Sequence, residues 1–292
     1  MRRAARLAVP VLLLASGVLA LQADLLEARE ALLVAVALEA LLLAAGAGGM
    51  LLVLRRFRER RAKGVERWRA LEEALSLVMP GVAARLIVTE QLVFWCLLRW
   101  ALGRRTGPAR KGEFGYHRRS SLRTILPLVI LLSPAELGAT HLLAHLLSPW
   151  PPLKWVLLAL GVYALLWLAG LYASLILLPH RMEEDGLRLR YGAHAEVFVP
   201  YAEIEEVEVR PLSPAGSGRG LFPAEGLIWS SEEGVLLIPV GGKTDLSLRL
   251  RSPLEGRGLF RSLGPAAKIR AAADEPSRMA EELRRRLAAL PS

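Results

Sequence analysis

Four apolar stretches, Leu7–Gln22, Ala31–Leu54, Thr124–Ser148 and Leu153–Leu178, constrain this chain more than anything else in it. The last three run 24 to 26 residues. At about 1.5 Å of rise per residue, each can cross a hydrocarbon core of roughly 30 Å as a helix. The first has 16 residues and needs tilt, or a snorkelling Arg6, to do the same. A soluble fold would have to bury four consecutive helices that are apolar all round. The pattern therefore predicts an integral membrane domain over 1–178, with a polar domain over 179–292.

The net charge of +10 points away from nucleic acid once its placement is considered. Residues 55–123 hold 17 Lys/Arg against 6 Asp/Glu, while residues 179–292 hold 16 against 17. The excess sits in one segment between two spans, as the positive-inside rule expects of a cytoplasmic loop. Arg55, Arg56, Arg58, Arg60 and Arg61 directly follow the second span as a stop-transfer flank that can meet anionic headgroups. Arg2, Arg3 and Arg6 keep the N-terminus inside, and Trp150 and Trp155 fit an outer aromatic belt. This predicts a multi-pass protein of the inner cytoplasmic membrane with both termini in the cytoplasm. Met1–Ala23 also fits a signal peptide, and its weak cleavage signal favours retention. The single Cys96 excludes an intramolecular disulfide framework. Only 5 of the 38 basic residues are Lys, a usage associated with GC-rich bacteria.

Within 55–123, Val65, Trp68, Leu71, Leu75 and Val78 recur at helical spacing up to Pro80-Gly81. A second apolar helix follows, but Arg85, Glu90, Gln91 and Arg99 make a fifth span expensive. Both are expected as amphipathic helices against the inner membrane face. Gly103–Arg123 is expected as a basic linker.

Ionisable side chains inside spans are costly and are functional candidates by default. Here they are Glu39, Glu136, His141 and His145. Glu136 falls roughly 18 Å from the outer end, level with Tyr163 and Trp167 on the fourth span. Helical phase puts Glu136 with Thr140 on one face and His141 with His145 on another. Ser133-Pro134 beside Glu136 is expected to kink that helix. Three readings stay open: hydrogen-bonded packing, a metal held by His141 and His145, or a proton or ion path. Small-residue spacings such as Ala44xxxGly48 and Gly170xxxSer174 favour packing. Apart from that metal ion, no cofactor is expected.

After Pro179 the apolar period shortens from helical to alternating. Strands are expected near 187–191, 196–199, 203–210, 227–230, 235–240, 246–251 and 268–272. Pro276 then opens an amphipathic helix with Met279, Leu283 and Leu287 on one side. Arg188, Arg190, Arg249 and Arg251 are expected on outward strand faces, either simply solvated or held against headgroups.

The segments Asp185-Gly186-Leu187-Arg188-Leu189-Arg190-Tyr191-Gly192 and Val197-Phe198-Val199-Pro200-Tyr201-Ala202-Glu203-Ile204 resemble the opening of bacterial pleckstrin-homology-like domains. Ala273-Asp274-Glu275-Pro276 and the helix after it are similar to the ends of those domains. The layout as a whole resembles uncharacterised bacterial membrane proteins that carry such a domain at the C-terminus. The resemblance implies a bent β-sheet capped by one helix, used for binding a protein partner or for regulation. It assigns no ligand residues. No Ser/His/Asp set, phosphate-binding glycine loop, CxxC pair or HExxH motif is present. Two functions compete: a non-enzymatic interaction module, which could form a homo-oligomer, and an intramembrane metal- or proton-handling carrier or enzyme built on Glu39, Glu136, His141 and His145.

Overall fold

The computed structural model describes residues 28–103, 112–147, 150, 152–213, 225–230, 234–258 and 262–289. The first expected span, Leu7–Gln22, lies outside them. The chain divides into two compact units, Met1–Val88 and Thr89–Ser292, and the division falls inside a helix.

The first unit holds α1 (Ala28–Ala62), α2 (Arg67–Leu75) and the first turns of α3 (Gly81–Ala101). Helix α1 does not stop at Leu54. It runs through the basic segment, with Arg55 paired to Glu59 at 3.0 Å one turn on. Arg60 pairs with Glu73 of α2, and Arg85 of α3 with Glu72 at 3.3 Å. Ala70 and Ala74 are fully buried, which lets α2 pack closely.

Among the described residues, four helical stretches are long and apolar enough to cross a membrane: Val36–Ala62, Gly81–Ala101, Leu122–Leu147 and Leu153–Leu177. The second is the helix expected on the membrane surface, and its length and composition alone also suit a span. Glu90, one of the charges counted against it, is satisfied by a hydrogen bond to another helix.

The second unit begins with the rest of α3 and then β1 (Glu113–Phe114). Helices α4 (Leu122–Leu147) and α5 (Leu153–Leu177) form an antiparallel hairpin, so both meet the β-domain at the same end. Helix α4 is continuous through Pro127 and Pro134. Ser133 Oγ donates to the Val129 carbonyl at 2.7 Å, one turn back.

The β-domain contains β2 (His180–Met182), β3 (Gly186–Tyr191), β4 (Ala195–Pro200), β5 (Ile204–Leu212), β6 (Ile228–Ser230), β7 (Val235–Ile238), β8 (Thr244–Arg257) and β9 (Ser262–Ala271). Strands β1 to β4 form an antiparallel meander, and β4 joins β8 only at Glu196 opposite Arg257. The early part of β8 pairs with β5 and β9, and β7 lies parallel to β9. The β8–β9 register shifts between Arg249 and Leu254, around Ser252-Pro253, where proline cannot donate to the ladder. That irregularity lets one long strand serve two sheets.

Helix α6 (Pro276–Ala288) covers the core with Met279, Ala280 and Leu283, all fully buried, as its spacing predicts. Burying a leucine of this kind contributes about 2 kcal/mol. Arg284 donates to the Val207 carbonyl at 2.8 Å, and Pro211 lies further along the same strand. Both features blunt β5 as an edge.

The buried core of the β-domain takes in residues from before Pro179. Phe114, Tyr116, Leu126 and Leu175 belong to the same buried core as Leu187, Leu248 and Leu283. Within the described part of the expected linker, Glu113–Phe114 forms an edge strand and Tyr116 is a buried aromatic.

Candidate functional site at the junction of the helical hairpin and the sheet

Ser120 and Ser121 stand immediately before α4, and Ser120 provides a polar cap for its first amide. Ser120 Oγ accepts the Leu122 N–H at 3.2 Å. The carboxylate of Glu225 takes the remaining donors. It accepts Ser121 N–H at 2.6 Å, Ser121 Oγ–H at 2.7 Å and Ser120 Oγ–H at 2.6 Å. It also accepts Tyr191 O–H at 2.8 Å and Gly241 N–H at 3.0 Å. A carboxylate at a helix N-terminus also opposes the positive end of the macrodipole. Burial alone would raise the Glu225 carboxyl, but the bonds from Ser120, Ser121 and Tyr191 outweigh it and hold it below the ordinary value. Burial beside Glu225 pushes the Tyr191 hydroxyl up. Five donors on two oxygens leave this carboxylate as an acceptor only.

Tyr116 makes the second tie. Its hydroxyl donates to the Leu178 carbonyl, at the end of α5, at 3.2 Å and accepts Gly192 N–H at 2.6 Å. Complete burial raises its pKa. Gly192 adopts φ +55°, and a Cβ there would come within 2.8 Å of Ser174 Oγ. That hydroxyl in turn accepts Ala193 N–H at 3.2 Å. The β3–β4 turn therefore sits directly on α5, a close approach that only glycine permits.

His180 stacks on Tyr116 with ring centroids 4.7 Å apart. It is fully buried. Its Nδ1 accepts Arg190 N–H at 3.1 Å, and Nε2 lies 2.9 Å from the Ala272 carbonyl. That arrangement requires the proton on Nε2 and a neutral ring. Burial lowers its pKa to about 4, against the raising effect of the Ala272 bond.

Further along the junction, Arg119 reaches Asp245 at 3.1 Å. Asp274 Oδ1 accepts Arg118 N–H at 3.1 Å, and burial raises its carboxyl.

The residues singled out from the sequence are dispersed. Tyr163 O–H donates to Glu90 Oε1 of α3 at 2.6 Å, so the depth-matched Glu136 is not its partner. Glu136 and Thr140 are exposed on α4, and Glu136 has no hydrogen-bond partner among the described residues. His141 and His145 are brought to Lys154. Nδ1 of His141 lies 3.4 Å from the Lys154 carbonyl, and Nδ1 of His145 lies 3.1 Å from Lys154 Nζ. Trp155 meets His141 edge-on at 5.3 Å. Glu39 is exposed on α1 in the other unit. Among the described residues, no three His, Cys, Asp or Glu side chains gather closely enough to hold a metal. Arg188 and Arg190 do not face outward. Arg188 is buried, bonded to Glu183 at 2.7 Å and stacked over Phe198, and Arg190 pairs with Glu196 at 3.5 Å. Arg249 and Arg251 remain exposed.

Sequence reasoning missed Tyr116, Ser120, Ser121, His180, Glu225 and the role of Glu90. The paired serines before an apolar helix were a usable capping signal. Glu225 had none, since it lies between a Gly/Ser/Pro-rich loop and a short strand. Compared with protein families, characterised proteins and solved structures, the chain has no significant match.

Proposed function

We propose that this is a multi-pass inner-membrane protein whose β-domain is a pleckstrin-homology-like interaction module, acting as a scaffold or regulator without catalysis. The observation that carries the reading is the Glu225 carboxylate. Its five bonds join α4, the linker and the β-domain, so the domain is mounted rigidly on the hairpin. A partner docked on such a domain is held in fixed register with the membrane helices. The polar side chains of the junction are spent on these ties and present no nucleophile–base pair. The charge excess of residues 55–123 supports a cytoplasmic location for the β-domain. Residues 150–152, at the far end of the hairpin, would then face outward.

Cysteine labelling in a Cys96→Ser background tests the placement. A cysteine replacing exposed Glu205 should react with an impermeant maleimide only after permeabilisation, whereas one replacing Trp150 should react in intact cells. Labelling of position 205 in intact cells would overturn the orientation. A photocrosslinker at Glu205 or Val209 should give discrete protein adducts in cells. Their absence at every exposed strand position would overturn the module.

A further inference from the structure

The first turn of α4 and the residues before it carry Arg118, Arg119 and Arg123, all exposed, and no acidic residue lies in that turn. Cations are unfavourable at a helix N-terminus, where the macrodipole is positive. Of the carboxylates nearby, Asp274 and Glu275 lie within electrostatic reach of Arg118. Glu225 is saturated by five donors, Asp245 is buried against Arg119, and Asp274 receives the Arg118 backbone N–H. Neither Arg118 nor Arg123 forms an ion pair among the described residues. The Arg123 guanidinium instead reaches the Arg118 carbonyl at 3.4 Å, holding the two residues together. The Gly241-Gly242 turn, with φ +59° and +72°, packs on the Arg119 backbone. A Cβ at Gly241 would come within 2.5 Å of the Arg119 carbonyl oxygen, so glycine is what permits the approach. That turn brings exposed Lys243, which forms no ion pair among the described residues, to the same rim. Four cations thus ring the point where an apolar helix leaves the β-domain.

We propose that Arg118, Arg123 and Lys243, with Arg119 behind them, form a collar that binds the phosphate-bearing headgroups of anionic phospholipids. This rests on the membrane-protein reading above, because the collar meets headgroups only if α4 enters the bilayer. The occupant follows from charge and position together. A row of exposed cations at the end of a membrane helix lies at headgroup depth, where each basic residue contributes about 1 kcal/mol of attraction. The collar replaces the Arg188/Arg190 patch, whose charges are internally paired.

The test uses full-length protein in a neutral detergent with phosphatidylglycerol or phosphatidylcholine of the same chain length. Lipid retained on the protein is counted by native mass spectrometry. Phosphatidylglycerol should be retained preferentially and in a salt-sensitive way, and each of R118Q, R123Q and K243Q should cut that preference by about fivefold. The triple variant should keep the wild-type melting midpoint in phosphatidylcholine, since these side chains form no ion pair among the described residues. R249Q/R251Q, on a remote exposed strand, should leave the preference unchanged. Equal retention of both lipids, an equal loss in R249Q/R251Q, or full competition by millimolar inorganic phosphate would overturn the collar. Release of the protein from membranes by alkaline carbonate would instead overturn the membrane reading.

Discussion

The backbone N–H of Ser121 and the carboxylate of Glu225 meet at 2.6 Å, across 104 residues of sequence. One ends the approach to a membrane-length helix, and the other opens the central part of the β-domain. This makes the cap of α4 part of the fold of another element, so helix and domain should lose stability together.

Glu225→Gln is expected to lower the stability of the full-length protein by about 3 kcal/mol, despite preserving shape. An amide has one acceptor oxygen where five donors converge, and its NH2 would face other donors. Ser121→Ala should cost less, since the backbone N–H stays bonded. Thermal midpoints in detergent check both. Equal midpoints for wild type and Glu225→Gln would refute the clamp.

A fragment starting at Pro179 should fold poorly, because it lacks the α5 surface under the β3–β4 turn. Tyr116 and Phe114 fill the core of the β-domain from outside that fragment, and β1 completes its edge. Losing a buried aromatic alone costs about 3–5 kcal/mol, comparable to the stability of many domains. Near-ultraviolet circular dichroism of residues 179–292 should lack fixed aromatic signals. A sharp cooperative melt of that fragment would contradict this.

Most of the strands and the final helix were legible because their signals are local. Leu187, Leu189 and Tyr191 alternate, and Met279, Leu283 and Leu287 repeat at helical spacing. What was not legible depends on long-range pairing. A two-residue strand at Glu113–Phe114 has no periodicity to read, and it exists only because His180–Met182 pairs with it. The alternation of Arg188 and Arg190 correctly indicated a strand and wrongly indicated an exposed face. Both sides of β3 are covered, so its second face carries paired charges in place of solvated ones. Helical phase likewise matched Glu136 to Tyr163 in depth, yet depth does not choose among neighbours, and α3 supplied Glu90.

Acid should weaken the fold in a window set by His180. Its folded pKa of about 4 lies below the ordinary 6.5, so the unfolded chain binds the extra proton between those values. Its contribution is complete above pH 6.5 and is lost progressively as pH falls toward 4. A shift of that size corresponds to roughly 3 kcal/mol. His180→Phe should be less stable at pH 7.5, because it strands the Arg190 N–H and the Ala272 carbonyl. It should also show a flatter pH profile between 6.5 and 4. Asp274, raised by burial, works in the opposite direction, and Glu225 is lost only below its ordinary value. Both are common to wild type and variant and cancel in the comparison. Parallel profiles for the two proteins would exclude His180 as the source.

The contact of α3 with α5 gives the sharpest prediction about helix packing. Gly170 has the Val93 backbone so near that a Cβ would come within 2.7 Å of its carbonyl oxygen. Cys96 packs with Ala173 and Leu177, and Trp100 meets Tyr172 edge-on. On the same seam Glu90 accepts the Tyr163 hydroxyl. Gly170→Leu should therefore separate the helices and destabilise the protein by roughly 2 kcal/mol or more, since the neighbour is backbone and cannot rotate away. Glu90→Gln keeps an acceptor for Tyr163 and should be tolerated, whereas Glu90→Ala and Tyr163→Phe should each cost about 1 kcal/mol. The double variant Glu90→Ala/Tyr163→Phe should cost less than the sum of the two, because both single changes remove one bond. Detergent melts of the four proteins measure the coupling directly. Strict additivity would mean that the hydroxyl and carboxylate do not bond. A Glu90→Gln as damaging as Glu90→Ala would assign the residue a role that needs its charge.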